Sequence, residues 1–563
     1  MTGRDEAFVG RVVAAADAAV DALAAAPPLA EAPLGPHRES MRRAKLLVGA
    51  YLAPGGRHEG DPAVVAHALT YVTALREMQA ASGLFVGGNN VESPPDSGFT
   101  LNDVGDVLEL VARAGAPRRA ALAGVHDLLV QVADAAAPAM LAGGVHTPNH
   151  RWELAAALAR LLRHRPDDAV RERIEQWLDE GVDVDADGLY SERSANYAAH
   201  VSNPALLALG DILDRPDLHR AVERNLEATL DLLHDDGSVE TVHSRRQDQK
   251  DPRFPLAPLL VPFRRLAVAG WRADFAWAAG LAEREGIAEP QTVLADLLLE
   301  PEVAGELPPP RAPERTGRAR FDDARLLVDR SPSRTLVVYG GSDHPRFGRI
   351  RSGLANNPTF LRLFAGDVVI ESVRLSRDFF GLGPFRAQEM READGAIVLE
   401  ERLAGHYYQP LDVTHRRDDG DYAIVDEGRF AAAMAFDDRT ADTVVLATRI
   451  VVRPTIDGVE LEIDQRGPSI AWSLEVALRP GGTLEGGVHA GDGTVRLDEG
   501  RARYRRGGSE VEIGPGTGAR EPAAYRPGEE YEYLGGTDAM GGTRLYVTGR
   551  APGTTTVAIR RVG

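Results

Sequence analysis

The 563-residue chain contains no cysteine, which excludes disulfides and thiolate metal sites outright. Lysine is nearly missing as well. Of the 64 basic residues only Lys45 and Lys250 are lysines, so positive charge is carried by arginine, whose planar fork suits carboxylate recognition. No apolar run is long enough to cross a bilayer. No HExxH pattern occurs, and His406 and His415 are the only weakly ligand-like pair, so no metal is expected. Without a P-loop, or a GxGxxG after a strand, nucleotide and nicotinamide cofactors are not expected either. Positive charge is in deficit overall. A formal net charge of −20 argues against nucleic acid and anionic membranes as partners. Residues 1–26 are alanine-rich, yet Asp5, Glu6, Asp17 and Asp21 interrupt them, so they read as an amphipathic helix and a cytoplasmic location is expected.

What is present falls into two halves, as the length leads one to expect. From residue 5 to about 300, apolar residues recur at helical spacing in roughly twelve runs, among them 38–53, 101–114, 151–164 and 194–213. Pro27-Pro28, Gly143-Gly144 and Asp236-Gly237 punctuate the gaps, giving αα-hairpins with short connections. Residues 301–319 hold five prolines and read as a linker. Beyond it the period changes to two in 324–330, 334–340, 367–372, 443–453 and 459–464, the pattern of an antiparallel β-sandwich. The expected organisation is a helical domain over 1–300, a linker over 301–319 and a sandwich over 320–563.

Four polar clusters carry possible chemistry. DADGLYSERSANYAAHVSNP, 185–204, combines a turn with Glu192, Arg193, Tyr197 and His200 at the mouth of a helix. GGVHTPNHRWE, 143–153, sets Asn149 and His150 at a helix start, before Arg151. Asn149 reads either as an N-cap or as a donor to a substrate carboxylate. HDDGSVETVHSRRQDQ, 234–249, brings His243, Arg245 and Arg246 together as carboxylate ligands or as a solvated loop. GGSDHPRFGRIRSG, 340–353, surrounds His344 with Arg346, Arg349 and Arg351. In addition, the polar loop 85–103 offers Asn89, Asn90 and Asp96 as cleft-lining groups, or else caps the helices. Trp152, Trp177, Trp271 and Trp277 could stack on sugar rings, but at helical spacing they read as core in preference.

The order DG-x-Y-x-E-R-S-x-x-Y in 187–197, the Asn-His pair 48 residues earlier and the helix-then-sheet layout resemble the heparinase II/III-like polysaccharide lyases. That resemblance implies an α+β multidomain fold, an N-terminal α/α toroid (an incomplete barrel of αα-hairpins) followed by an antiparallel β-sandwich. It implies β-elimination on a glycan containing uronic acid, with an anionic oligosaccharide or polysaccharide as partner; no cofactor is expected from the motifs, although some members of the resembled family carry a metal in the sheet domain. In the resembled family a helix-borne tyrosine moves the proton, here Tyr197. An Asn, often followed by His, holds the uronate carboxylate, here Asn149 and His150. A histidine of the sheet domain is the tyrosine's partner, here His344 in preference to His406. Substrate contacts are expected from Arg151, Glu192, Arg193, His243, Arg245, Arg246, Asn89 and Asn90. Two other readings remain open: a toroid glycoside hydrolase using paired carboxylates from among Asp96, Asp187, Glu192 and Glu240, and a glycan-binding protein without turnover.

Overall fold

The computed structural model describes residues 3–88, 90–347, 354–426, 433–491, 493–524 and 542–562. Asn89, Arg349 and Arg351 lie outside the described residues. The chain forms two compact units. The first comprises Met1–Leu230, Asp236–Val239 and Pro255–Pro313, the second Asp231–Asp235, Glu240–Phe254 and Glu314–Gly563. Among the described residues no helix is long and apolar enough to cross a membrane.

The helices are α1 (Glu6–Ala22), α2 (Pro36–Leu52), α3 (Pro62–Met78), α4 (Pro94–Arg113), α5 (Ala116–Ala121), α6 (Ala123–Ala142), α7 (His150–His164), α8 (Asp168–Leu178), α9 (Ala195–Tyr197), α10 (Asn203–Leu213), α11 (Pro216–Leu232), α12 (Leu260–Gly270), α13 (Ala273–Arg284) and α14 (Pro290–Leu299). Local signals start them: Asp61, Ser93 and Asp167 accept from the first free N–H groups, and proline opens α3 and α4. The expected single helix over 194–213 is broken. Asn203 donates its N–H to Ala198, five residues back, which makes 198–202 a π-turn. Pro204 explains the slip, because it has no N–H to give to the carbonyl of His200.

Helices α10, α7, α4, α2 and α14 are successive neighbours, and Arg265 of α12 reaches Asp211 of α10 at 2.6 Å. The run is parallel from α7 to α2. Arg38 and Asp96 pair from the first turns of α2 and α4, and Lys45 meets Asp103 and Asp106 further along both at 2.8 and 2.7 Å. Gly98 and Gly105 of α4 lie against Glu153 and Arg160 of α7 in the same sense. A buried polar girdle runs between these helices. Arg160 donates to Asp106 at 2.7 Å and to Asn102 at 2.8 Å, and Asn102 donates to Glu153 at 2.7 Å. Such a network fixes register, since each member is satisfied only at one axial offset.

Burial pushes the carboxyls of Glu153 and Asp296 up to about 7, while Arg160 and Lys45 hold Asp106 at about 2 despite its burial. Glu153 and Asp296 ionise near pH 4 once unfolded. The folded state therefore keeps protons that the unfolded chain releases. Stability should fall as pH rises from about 4 to about 7 and then level off. Chemical denaturation across that window should show a shallower pH slope for Glu153→Gln. An unchanged slope would remove Glu153 as a source of the effect.

In the second unit the strands are β1 (Gly317–Phe321), β2 (Leu326–Ser331), β3 (Arg334–Tyr339), β4 (Leu361–Ala365), β5 (Val368–Arg377), β6 (Glu389–Ala393), β7 (Ala396–Tyr408), β8 (Ala441–Pro454), β9 (Gly458–Arg466), β10 (Ala471–Leu478), β11 (Thr483–Glu485), β12 (Val488–Gly491), β13 (Thr494–Arg496), β14 (Ala502–Arg506), β15 (Ser509–Gly514), β16 (Arg544–Arg550) and β17 (Gly553–Arg561). One sheet has the order β12-β13-β16-β10-β5-β4-β3-β2-β1, the other β11-β14-β15-β17-β9-β8-β7-β6. Pairing is antiparallel except between β13 and β16. Leu361, Leu363, Val373, Leu375, Leu474 and Val476 from one sheet share a core with Leu399, Ile450, Leu461 and Ile463 from the other, the alternation of a sandwich.

The opposite face of the nine-stranded sheet is polar yet buried. Between β4 and β5 the register steps from Leu361↔Val373 to Leu363↔Ile370, a bulge that sets Glu371 and Ser372 together against Arg362. Arg362 donates to Glu371 at 2.7 Å, and Thr359 and Ser372 share a 2.7 Å hydroxyl contact.

Candidate active site

The parallel inner helices of the first unit deliver their first turns to one end. Arg38 (α2) pairs with Asp96 (α4), and its guanidinium lies 3.8 Å over the Phe99 ring. Phe99 meets the His150 ring edge-on at 6.2 Å, and His146 meets it at 4.7 Å. Behind them His37 stacks on Phe85 at 5.0 Å and lies 2.7 Å from the Thr100 hydroxyl. Burial, assisted by Arg38, pulls His37 down to about 4, so it is neutral at pH 7.

Asn149 directly precedes His150 and is only 2% exposed. It makes no capping bond to α7. Its Oδ1 accepts from the Thr147 hydroxyl at 2.7 Å, and its Nδ2 has no hydrogen-bond partner among the described residues. An open, buried amide donor costs on the order of 1–3 kcal/mol, so the fold holds a donor ready at some expense.

The second cluster is anchored by a turn in which Asp185 accepts from Asp187 and Leu189 at 3.0 and 2.8 Å. Gly188 has φ +86°, and a Cβ there would stand 2.5 Å from the Arg224 carbonyl. Tyr190 is buried and donates to Asn203 Oδ1 at 2.7 Å, while Asn203 donates to Asn225 at 3.1 Å. Burial raises the Tyr190 phenol well above its ordinary value. Its oxygen is committed to packing. Ser194 caps the Tyr197 N–H at 3.0 Å, and Tyr197, half-buried, stands where the α-turn gives way to the π-turn. Such slips recur at functional sites. One turn on, His200 lies 3.3 Å from Glu289, which also binds Arg42. Burial works against the Glu289 charge, but His200 and Arg42 prevail and hold it at about 2.

Other expected contacts in this unit are placed as follows. Arg151 is spanned by Glu180 at 2.9 Å and Asp183 at 3.0 Å and lies 4.6 Å over the Trp152 ring, so its charge is already balanced. Trp152 is core, its indole N–H given to Asp183 at 3.0 Å, whereas Trp271 is exposed. Glu192 is buried, Arg193 is half-buried with φ +51°, and Asn90 is exposed with φ +59°.

In the second unit Arg245 forks onto Asp343 at 2.9 and 3.0 Å. Asp343 also accepts the Ala355 N–H at 2.8 Å, which fixes the turn bearing His344. Burial, and then the Arg386 guanidinium, bring His344 down to about 4, leaving a neutral imidazole at pH 7. His243 is buried, the Arg246 N–H is given to Ser244 at 3.0 Å, and Arg346 is exposed.

Glu240 has a different standing. It accepts from Thr241 and Val242 N–H groups at 2.8 Å each and from Arg362 at 2.8 and 3.0 Å, with His234 Nε2 at 3.0 Å. Arg362 and His234 outweigh its burial and hold its carboxyl far below the usual range. A general acid needs a proton at working pH, so Glu240 is unsuited to be the acid of a hydrolase pair. The sequence reading missed Arg38, Phe99, His146 and Asp343. Only Asp96, in a loop too polar for a mere connection, gave a signal.

No family model matches the sequence, and no curated protein is similar to it. Solved structures do share the fold. Chondroitin AC lyase of Streptomyces coelicolor A3, crystallised with chondroitin sulphate, aligns over 100% of this chain and 80% of its own, with TM-score 0.54 and 15% identity. A heparinase III aligns over 94% and 77%, with TM-score 0.52 and 11% identity. A Paenibacillus xanthan lyase aligns over 99% of this chain but 57% of its own, with TM-score 0.52 and 9% identity. The fold is thus the helical toroid and sandwich of these lyases.

Proposed function

We propose that the protein is a carbohydrate lyase that cleaves a glycan containing uronic acid by β-elimination. The observation that carries this reading is the open Nδ2 of Asn149, buried beside His150 at the positive ends of α2, α4 and α7. A uronate C5 proton is weakly acidic because the neighbouring carboxylate is negative. A fixed amide donor and helix N-termini offset that charge as it spreads into the enolate-like transition state. They also answer how a chain of charge −20 takes an anion. The fold shared with lyases of chondroitin, heparin-type and xanthan substrates supports the reaction class.

In this mechanism Asn149 and His150 hold the carboxylate. A base removes the C5 proton, and Tyr197 hands a proton to the departing C4 oxygen as the C4=C5 double bond forms. The neutral imidazole of His344 is a candidate base, as is the Tyr197 oxygen. No step calls on a metal.

The test is a panel of uronate glycans, read by the ultraviolet absorbance of the unsaturated product. A new reducing end without that absorbance on every active substrate would make the protein a hydrolase. Asn149→Ala should lower kcat about a hundredfold, the usual worth of one such donor, with KM little changed. A variant of wild-type kcat would dismiss the open amide as the carboxylate's ligand.

A further inference from the structure

One end of the sandwich core is polar. Arg377 of β5 follows Val373 and Leu375 in the alternation and so turns inward, where it is 3% exposed and cross-strand from Trp472. A row of three polar residues in direct cross-strand register comes from the other sheet: Glu401 (β7), Thr448 (β8) and Gln465 (β9), all buried. Arg377 Nη1 donates to Thr448 Oγ1 at 3.1 Å and lies 2.5 Å from Glu401 Oε2, and the guanidinium is 5.6 Å from the Phe385 ring. Its other edge, Nε and Nη2, has no hydrogen-bond partner among the described residues, and neither has Gln465 Oε1.

We propose that this polar end of the core binds a small oxyanion, a phosphate, sulfate or carboxylate group, held side-on by Arg377. The Nε/Nη2 edge presents two parallel N–H groups, the geometry that receives two oxygens of one anion. An apolar residue at 377 would simply extend the core, whereas a buried guanidinium with an empty edge is costly. Glu401 covers Nη1 alone, and its Oε1 is engaged by the Arg386 N–H at 3.1 Å. Gln465 Oε1 then accepts a hydrogen bond from a hydrogen phosphate or from a water beside the anion.

The test is thermal unfolding and calorimetric titration of the full chain with sodium phosphate, sulfate and acetate, each against chloride at equal ionic strength. Saturable stabilisation by at least one oxyanion is expected, and the three arms distinguish the source. Arg377→Gln should abolish it. Glu401→Gln, which removes the opposing charge, should tighten binding by about threefold or more. Asn149→Ala should leave it unchanged, which separates this site from the proposed glycan site. The proposal falls if no oxyanion differs from chloride, as water alone beside Arg377 requires, or if Arg377→Gln keeps the effect. Should that variant not fold, a Glu401→Gln affinity no tighter than wild type overturns it equally.

Discussion

Tyr197→Phe is expected to reduce turnover by about two to four orders of magnitude, the usual worth of a positioned acid–base group. The substitution deletes one oxygen from a half-buried ring and leaves the Ser194 cap and the π-turn intact, because both use the backbone. Substrate affinity should hardly move, since in the proposed mechanism the hydroxyl acts only as the C4 oxygen departs. Tyr190→Phe is the internal control, seven residues earlier. It removes the bond to Asn203 and leaves a buried amide short of a partner, which costs about 1–3 kcal/mol of stability while kcat stays near wild type. Steady-state kinetics with thermal unfolding of both variants separates the roles. Full activity in Tyr197→Phe, with loss in Tyr190→Phe, would reverse the assignment.

Glu240→Ala should destabilise the second unit by about 3–5 kcal/mol, because removing one member of a buried pair strands the other. Arg362 would keep Glu371, at 2.7 Å, but its second carboxylate and the partner of His234 would be gone. The Thr241 and Val242 N–H groups would lose their acceptor too. A double variant, Glu240→Leu with Arg362→Met, should cost less than the two single changes together, since neither charge is then left alone. Denaturant titration of the four proteins measures that coupling. Strict additivity would mean that the pair contributes no interaction of its own.

The sequence disclosed the architecture because periodicity is local. The switch from 3.6 to 2 shows in any ten residues, and the structure moves from the end of α14 at Leu299 to β1 at Gly317 accordingly. The Asn-His pair of the proposed site could be singled out for the same reason, since neighbours in sequence stay neighbours at a helix start. What escaped depends on partners far apart in the chain. Arg38 and Asp96 are 58 residues apart, Arg245 and Asp343 are 98 apart, and Glu240 and Arg362 are 122 apart. Arg151 and Arg245 read as free positive charge because Glu180, Asp183 and Asp343 could not be matched to them without the fold. The break after Tyr197 was signalled by Pro204, but proline near a helix start is ordinarily benign, and only the Asn203 bond reveals the slip.

The segment Glu240–Phe254 lies between stretches of the first unit, yet it belongs to the second. Neither half is therefore a cassette that evolution or an engineer can exchange by one cut. A gene truncated within the proline-rich stretch would yield a helical fragment carrying Glu240 without Arg362, a carboxylate meant for burial that has lost its counter-charge. The complementary fragment would start life with Arg362 short of a carboxylate. Chimeras that trade sheet halves with the lyases that share this fold need a second crossover around residues 240–254. A library shuffled at the linker alone should be enriched for insoluble products.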